Sequence, residues 1–444
     1  LYFNLNFSFK KLKIYNTGCT YNYKFIKGIL VLFLIVACAS CKKDRPIEID
    51  KEEIVSPTTG TRTEFTLDSV FLYAKQVYLW NDVLPGYAAF KPREKYSKVQ
   101  SEISAFRNEL FDISQFKLNQ ATGKPFEISN YNGVPKYSYL QIGRTTSGGN
   151  RAGVINGEAV LAKRLIRLDD KIIAYVAIGS FPSLSISKSN LDQVFDEISV
   201  DKPKYLVLDL RSNGGGYVET AEYVANLIAP NTLNGKIMYS EQFNQILQSG
   251  KATILRHQPY LDENGKTIMY NGRLATLADV DYTESGNTYK FNKKGSLESI
   301  QDVYIIVSGQ TASASELLIS CLKPYFNVKL IGEKTYGKPV GFFGINIDQY
   351  SVYLSSFLIK NAQGWSDYFN CMEPDLNVTM PNNPTLGDTE EACLKAAVAA
   401  IDGKIQLHPK KSASILRLNL NRMPLALIDK DSIGMIENRL KLKW

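Results

Sequence analysis

Between Lys171 and Ile331 the chain alternates short, predominantly apolar runs with amphipathic stretches. The apolar runs are Ile172–Ile178, Tyr205–Leu210, Val303–Val307 and Val328–Ile331. None of them alternates apolar with polar residues, so each reads as a strand buried on both faces. The amphipathic stretches Leu191–Ile198, Val218–Ile228 and Glu316–Leu322 have helical spacing. Strands and helices in alternation require layers in which helices cover a parallel or mixed sheet. The fold class expected is therefore α/β.

Before this core, residues 64–111 read as a small helical unit. Leu67, Val70, Phe71, Ala74 and Val77 share one helix face, Tyr78, Leu79 and Trp80 widen it, and Pro85-Gly86 ends it. A second helical stretch runs over about 95–111. Residues 112–170 hold short β-like runs between Gly/Asn-rich turns, an antiparallel β segment. Residues 232–299 interrupt the core (171–400) with polar, hairpin-like sequence around Asp262–Gly265 and Glu284–Asn287, and read as an insertion overhanging the site. Residues 401–444 form an extension that either packs on the core or mediates assembly.

The first 41 residues read differently. Five lysines and no acid precede the apolar run Ile29–Ala37, followed by small residues and two cysteines, Cys38 and Cys41. This is the pattern of a secretory signal, with an apolar run too short to span a bilayer. It also resembles a bacterial lipoprotein signal, which implies lipid attachment at Cys41, the favoured frame, or at Cys38. Residues 1–20, tyrosine-rich and opening on Leu1, read as lying upstream of the true start. Residues 42–63, charged and then Pro/Thr/Gly-rich, read as a flexible tether. The expected location is the cell envelope, lipid-anchored at the outer membrane on its periplasmic or surface face.

Composition narrows the chemistry. At 44% hydrophobic and 22% charged, the 444-residue chain is neither disordered nor of low complexity. The net charge of +8 falls to +3 without residues 1–40, so no nucleic-acid partner is implied. With two histidines, His257 and His408, far apart, imidazole chemistry and His-rich metal sites are not expected; neither metal nor cofactor is called for. Beyond the anchor region stand Cys321, Cys371 and Cys393, an odd number that excludes a full disulfide framework. A single Cys371–Cys393 bridge and three buried thiols are the alternatives.

Three loops carry unusual chemistry, each after a strand, where sites in α/β sheets gather. In Asp209-Leu-Arg-Ser-Asn-Gly-Gly-Gly216, consecutive glycines let backbone N–H groups approach a ligand; a plain turn is the bland reading. In Ser308-Gly-Gln-Thr-Ala-Ser-Ala-Ser-Glu316, Ser313 falls at a strand-to-helix turn. There the helix N-terminus favours developing negative charge, and the Ala314 N–H is placed for an oxyanion. A simple helix-capping serine is the alternative. In Gly332-Glu-Lys-Thr-Tyr-Gly-Lys-Pro-Val-Gly341, Lys338 precedes an apolar stretch where desolvation would favour its neutral amine.

"TASASE", the lysine of "TYGK" 25 residues after its middle serine, and "DLRSNGGG" upstream together resemble the C-terminal-processing (tail-specific) serine proteases. The resemblance covers about 171–400. It implies a ClpP/crotonase-like catalytic core, Ser313 as nucleophile, Lys338 as general base, and an oxyanion hole from Ala314 with Gly214 or Gly215. The implied activity is a serine endopeptidase cutting exported proteins or peptides through an acyl-enzyme. Two departures stand out. Many members have Gln four residues after the lysine, where this chain has Phe342. Many also carry a PDZ domain, whose Gly-Asp…Asn-Gly signature is not found in 112–170; a reduced β segment stands in its place. These departures motivate the rival reading, a catalytically weak or inactive envelope lipoprotein binding peptides or polysaccharide in the same cleft.

Overall fold

A computed structural model describes residues 56–144, 158–262, 265–405, 435–436 and 439–443. Cys38 and Cys41 lie outside the described residues. The central element is a six-stranded sheet of β1 (Val160–Leu168), β2 (Lys171–Ile178), β3 (Tyr205–Asp209), β4 (Asp302–Val307), β5 (Asn327–Gly332) and β6 (Leu376–Asn377). They lie side by side in chain order. β2 to β6 pair in parallel and β1 adds antiparallel to β2 at the edge.

Side chains of the apolar strands point alternately to two faces, and both are covered. On one face Ala174, Val176, Leu206, Leu208, Val303 and Ile305 pack with helices α3 (Leu184–Ser199), α4 (Val218–Ile228) and α5 (Ala314–Leu322). On the other, Ile173, Tyr175, Val207, Ile306 and Ile331 meet Leu394, Ala397 and Ile401 of α6 (Ala392–Ile401). Double coverage is why these strands carry no polar alternation. The expected α/β class is what the chain forms.

The N-terminal helices are α1 (Arg62–Val77) and α2 (Glu102–Ser114). α1 begins five residues before its apolar stripe because Thr61 and Glu64 form a reciprocal capping box. It stops at Val77, earlier than Pro85-Gly86 suggests, since the Leu79 N–H leaves the helix to reach Ser355 O at 2.7 Å. The stretch expected as one helix over 95–111 divides. A short turn over Pro92–Tyr96 follows Lys91 in a left-handed conformation (φ 56°), and α2 starts after Ser101.

The strand Tyr139–Ile142 pairs antiparallel with Tyr350–Tyr353. Within 232–299, Ile237–Phe243 pairs antiparallel with Phe357–Asn361 and Thr288–Lys290. Cys321, Cys371 and Cys393 are all free; Cys371 is half-buried and the other two buried, so the Cys371–Cys393 bridge is not formed. Among the described residues no helix is long and apolar enough to cross a membrane, and no cluster of three or more metal-ligating side chains occurs.

Candidate active site

The parallel register sets the C-terminal ends of β3, β4 and β5 side by side, Asp209 opposite Ile306 and Val307 opposite Gly332. The three unusual loops leave from these ends and are laced together. Thr311 Oγ1 donates to Leu210 O at 2.8 Å, and the Ala312 N–H and Ser315 Oγ both donate to Asn213 O, at 3.2 and 3.0 Å. The Tyr336 N–H donates to Thr311 O at 3.0 Å. At the far side of the first loop, Arg211 is held between Asp209 and Glu391, which also caps α6.

Ser313 sits at the tip of the second loop, fully buried, with φ 61° and ψ −116°. A non-glycine residue here carries about 1–3 kcal/mol of backbone strain. Its Oγ has no hydrogen-bond partner. The strained strand-to-helix turn presents that hydroxyl at the N-terminus of α5, where the first backbone N–H groups, starting with Ala314, lack partners within the helix.

Glu316, in the first turn of α5, is wholly buried and accepts four hydrogen bonds. One carboxylate oxygen takes Thr335 Oγ1 at 2.6 Å and the Gly337 N–H at 2.7 Å; the other takes the Ser313 N–H at 3.0 Å and the Lys338 N–H at 2.8 Å. Burial pushes its carboxyl up, while these donors pull it down. The net direction is upward, with burial the largest cause.

Lys338 is 3% exposed. Burial pushes its amine down to about 8, against the pull of the Glu316 and Glu127 carboxylates. Its Nζ lies 4.3 Å from the centroid of Phe342, so the residue found where a glutamine was expected meets the amine with a ring face. Phe342 is itself fixed edge-on by Tyr139 and Tyr353.

Of the glycine candidates, Gly215 (φ +115°) is packed on Ser313: a Cβ there would stand 2.9 Å from Ser313 Cβ and 3.2 Å from Ala314 N. Its N–H donates to Asn213 Oδ1 at 2.9 Å, while the Nδ2 of the same buried Asn213 has no partner. Gly214 is half-buried beside it.

Sequence reasoning assigned no role to Glu316, although the Ser-x-x-Glu spacing of a capping box marks it. It also missed the contribution of residues 127–137. Tyr137 donates through its hydroxyl to Gly337 O at 2.6 Å, and Tyr336 OH donates to Lys136 O at 2.9 Å. Lys136 is a second amine pushed down to about 8 by burial. No local pattern signals these contacts, which join residues 200 apart.

The model of Peptidase family S41 matches residues 172–376, a span that contains all three loops. Over 196 residues the chain is 26% identical to the carboxy-terminal processing protease CtpA of Bacillus subtilis, an alignment covering 43% of this chain and 32% of that one. It thus spans about a third of that relative's length. Among solved structures, a Bacteroides fragilis protein described as an S41 protease aligns over 57% of this chain and 60% of its own, at 21% identity and TM-score 0.43. A lipoprotein from Streptococcus agalactiae aligns over 79% and 100%, at 16% identity and TM-score 0.45. With its strand-end loops in register and the family pattern running through them, the segment 172–376 matches the model of peptidase family S41 and is similar to its members.

Proposed function

We propose that this chain is a serine endopeptidase in which Ser313 is the nucleophile and Lys338 the general base. The observation that carries the reading is the strained, unpartnered Ser313 hydroxyl on a turn whose N–H shares one Glu316 oxygen with the Lys338 N–H. Neutral Lys338 accepts the Ser313 proton as Oγ attacks the scissile carbonyl. The Ala314 N–H, with an N–H of Gly214 or Gly215, holds the oxyanion. Protonated Lys338 then gives its proton to the leaving amine, and the same amine activates the water that releases the acyl group. In this reading the substrates are exported proteins or peptides. Attachment at Cys41 or Cys38 would hold the enzyme at a membrane.

The test is labelling with a serine-reactive fluorophosphonate followed by peptide mapping. The adduct is expected on the peptide containing Ser313 and absent in Lys338→Ala. A folded protein that takes up no label overturns the reading. One observation favours the rival, a weakly active peptide binder: the Gly215 N–H is already engaged by Asn213. Binding of peptides without labelling would be its signature.

A further inference from the structure

The short strand Gly216–Tyr217 continues the glycine loop, and both of its edges are occupied. On one side stands Phe181, whose N–H donates to Gly215 O at 3.0 Å and whose carbonyl accepts the Tyr217 N–H at 2.9 Å. Gly216 must be glycine for this approach: its φ is +134°, and a Cβ would lie 2.2 Å from Phe181 O. On the other side the strand Met435–Ile436 pairs in parallel, Met435 opposite Gly216 and Ile436 opposite Tyr217.

This second edge begins one residue, or about 3.8 Å of Cα trace, from Gly215, which is packed on Ser313. Residues 439–443 hold the segment in place. Arg439 makes a two-pronged ion pair with Glu222, both contacts at 2.8 Å. Leu440 is buried in the main core and its carbonyl accepts Tyr260 OH at 2.7 Å. The Asp281 N–H donates to Lys441 O and the Lys443 N–H to Asp279 O, at 2.7 and 2.9 Å.

A peptide that delivers a carbonyl to Ser313 needs main-chain partners close to the nucleophile, and strand addition supplies them without regard to side chains. We propose that the Gly216–Tyr217 edge is the docking site for an extended peptide strand, and that residues 435–436 occupy it in cis, so that the chain's own segment and an incoming peptide exclude one another. Two paired residues make a weak strand. Tethering supplies an effective concentration on the order of millimolar, enough to fill the edge until a longer strand displaces it. The binding claim stands apart from catalysis; its effect on turnover rests on the peptidase reading.

The test uses the full chain. Ile436→Pro disrupts the short strand and leaves the anchor at 439–443 in place. In a Ser313→Ala background, a fluorescein-labelled peptide copying residues 431–438 is expected to bind the Ile436→Pro form at least fivefold more tightly, by fluorescence anisotropy. In the Ser313-containing chain, Ile436→Pro is expected to lower KM for an extended fluorogenic peptide by a similar factor, and the unlabelled copy peptide to raise it again. Equal affinity for the two Ser313→Ala forms overturns the proposal. If Ile436→Pro loses its cooperative melt, Arg439→Ala, which frees the segment from Glu222, decides by the same comparison. A chain that binds as expected but never hydrolyses or labels ends the peptidase reading and leaves the docking site standing.

Discussion

The backbone N–H groups of Ser313 and Lys338 donate to the same Glu316 oxygen, at 3.0 and 2.8 Å. One buried carboxylate therefore sets the spacing of two loops that leave different strands. A glutamine in its place would present an NH2 to at least two of the four donors it now satisfies. Glu316→Gln is expected to lower kcat by about 100-fold through misplacement of the reacting groups, with a smaller change in KM. Removing the carboxyl also removes its upward pull on the Lys338 amine, so the rising limb of the pH–rate profile should move to lower pH. A purely structural role would leave that limb where it is.

Removing the reacting groups themselves should cost more. Ser313→Ala and Lys338→Ala are each expected to lower kcat/KM on a peptide substrate at least about 10³-fold, with little change in the melting temperature. Combining them should cost hardly more than either alone, because the two act as a unit.

The depressed Lys338 amine predicts the direction of the pH dependence. A general base must be unprotonated, so kcat/KM should rise as pH passes through about 8 and then level off. Lys136 titrates in the same range; persistence of the limb in Lys136→Met assigns it to Lys338. A profile that falls through pH 8 would contradict the base assignment.

Gly215→Ala tests the close approach beside the nucleophile. The added methyl would sit 2.9 Å from Ser313 Cβ on a backbone at φ +115°. Backbone strain of about 1–3 kcal/mol is expected, read as a lower melting temperature. Displacement of the oxyanion donors should cost about 100- to 1000-fold in kcat.

Far from the site, Glu109 on α2 is wholly buried and neither carboxyl oxygen has a partner. Burial, with the Asp68 and Asp112 carboxylates nearby, holds its carboxyl well above the usual range, so the folded chain keeps this proton to higher pH than the unfolded chain does. The unfolded chain releases that proton near pH 4.5; stability therefore falls as pH rises above that value. Glu109→Leu is expected to stabilise the protein by about 1–3 kcal/mol at neutral pH, with the gain shrinking toward pH 4, as thermal melts across that range would read.

The elements of the sheet were legible because their signals are local. The helix expected over Val218–Ile228 forms over those residues, and the strand expected at Tyr205–Leu210 ends one residue earlier, at Asp209. Apolar runs without alternation can only be buried on both sides, which dictated helices above and below. The N-terminal helices were read less well. Leu79 continues the apolar face of α1, yet its N–H is taken by Ser355, a tertiary partner that periodicity does not register.

The candidate site divides along the same line. Residue order alone determined which chemical groups stand at the strand ends: a serine at a helix start, a lysine among apolar neighbours, a run of glycines. Tertiary packing alone decided that Glu316 joins two of those loops, that Tyr137 and Lys136 support the lysine loop from 200 residues away, and that Met435–Ile436 lies against Gly216–Tyr217. Periodicity and turn chemistry act over a few residues and are written in the local sequence. The partners of a buried carboxylate or of an open strand edge are whatever the packed core brings within about 3 Å, and that distance exists only once the chain has folded.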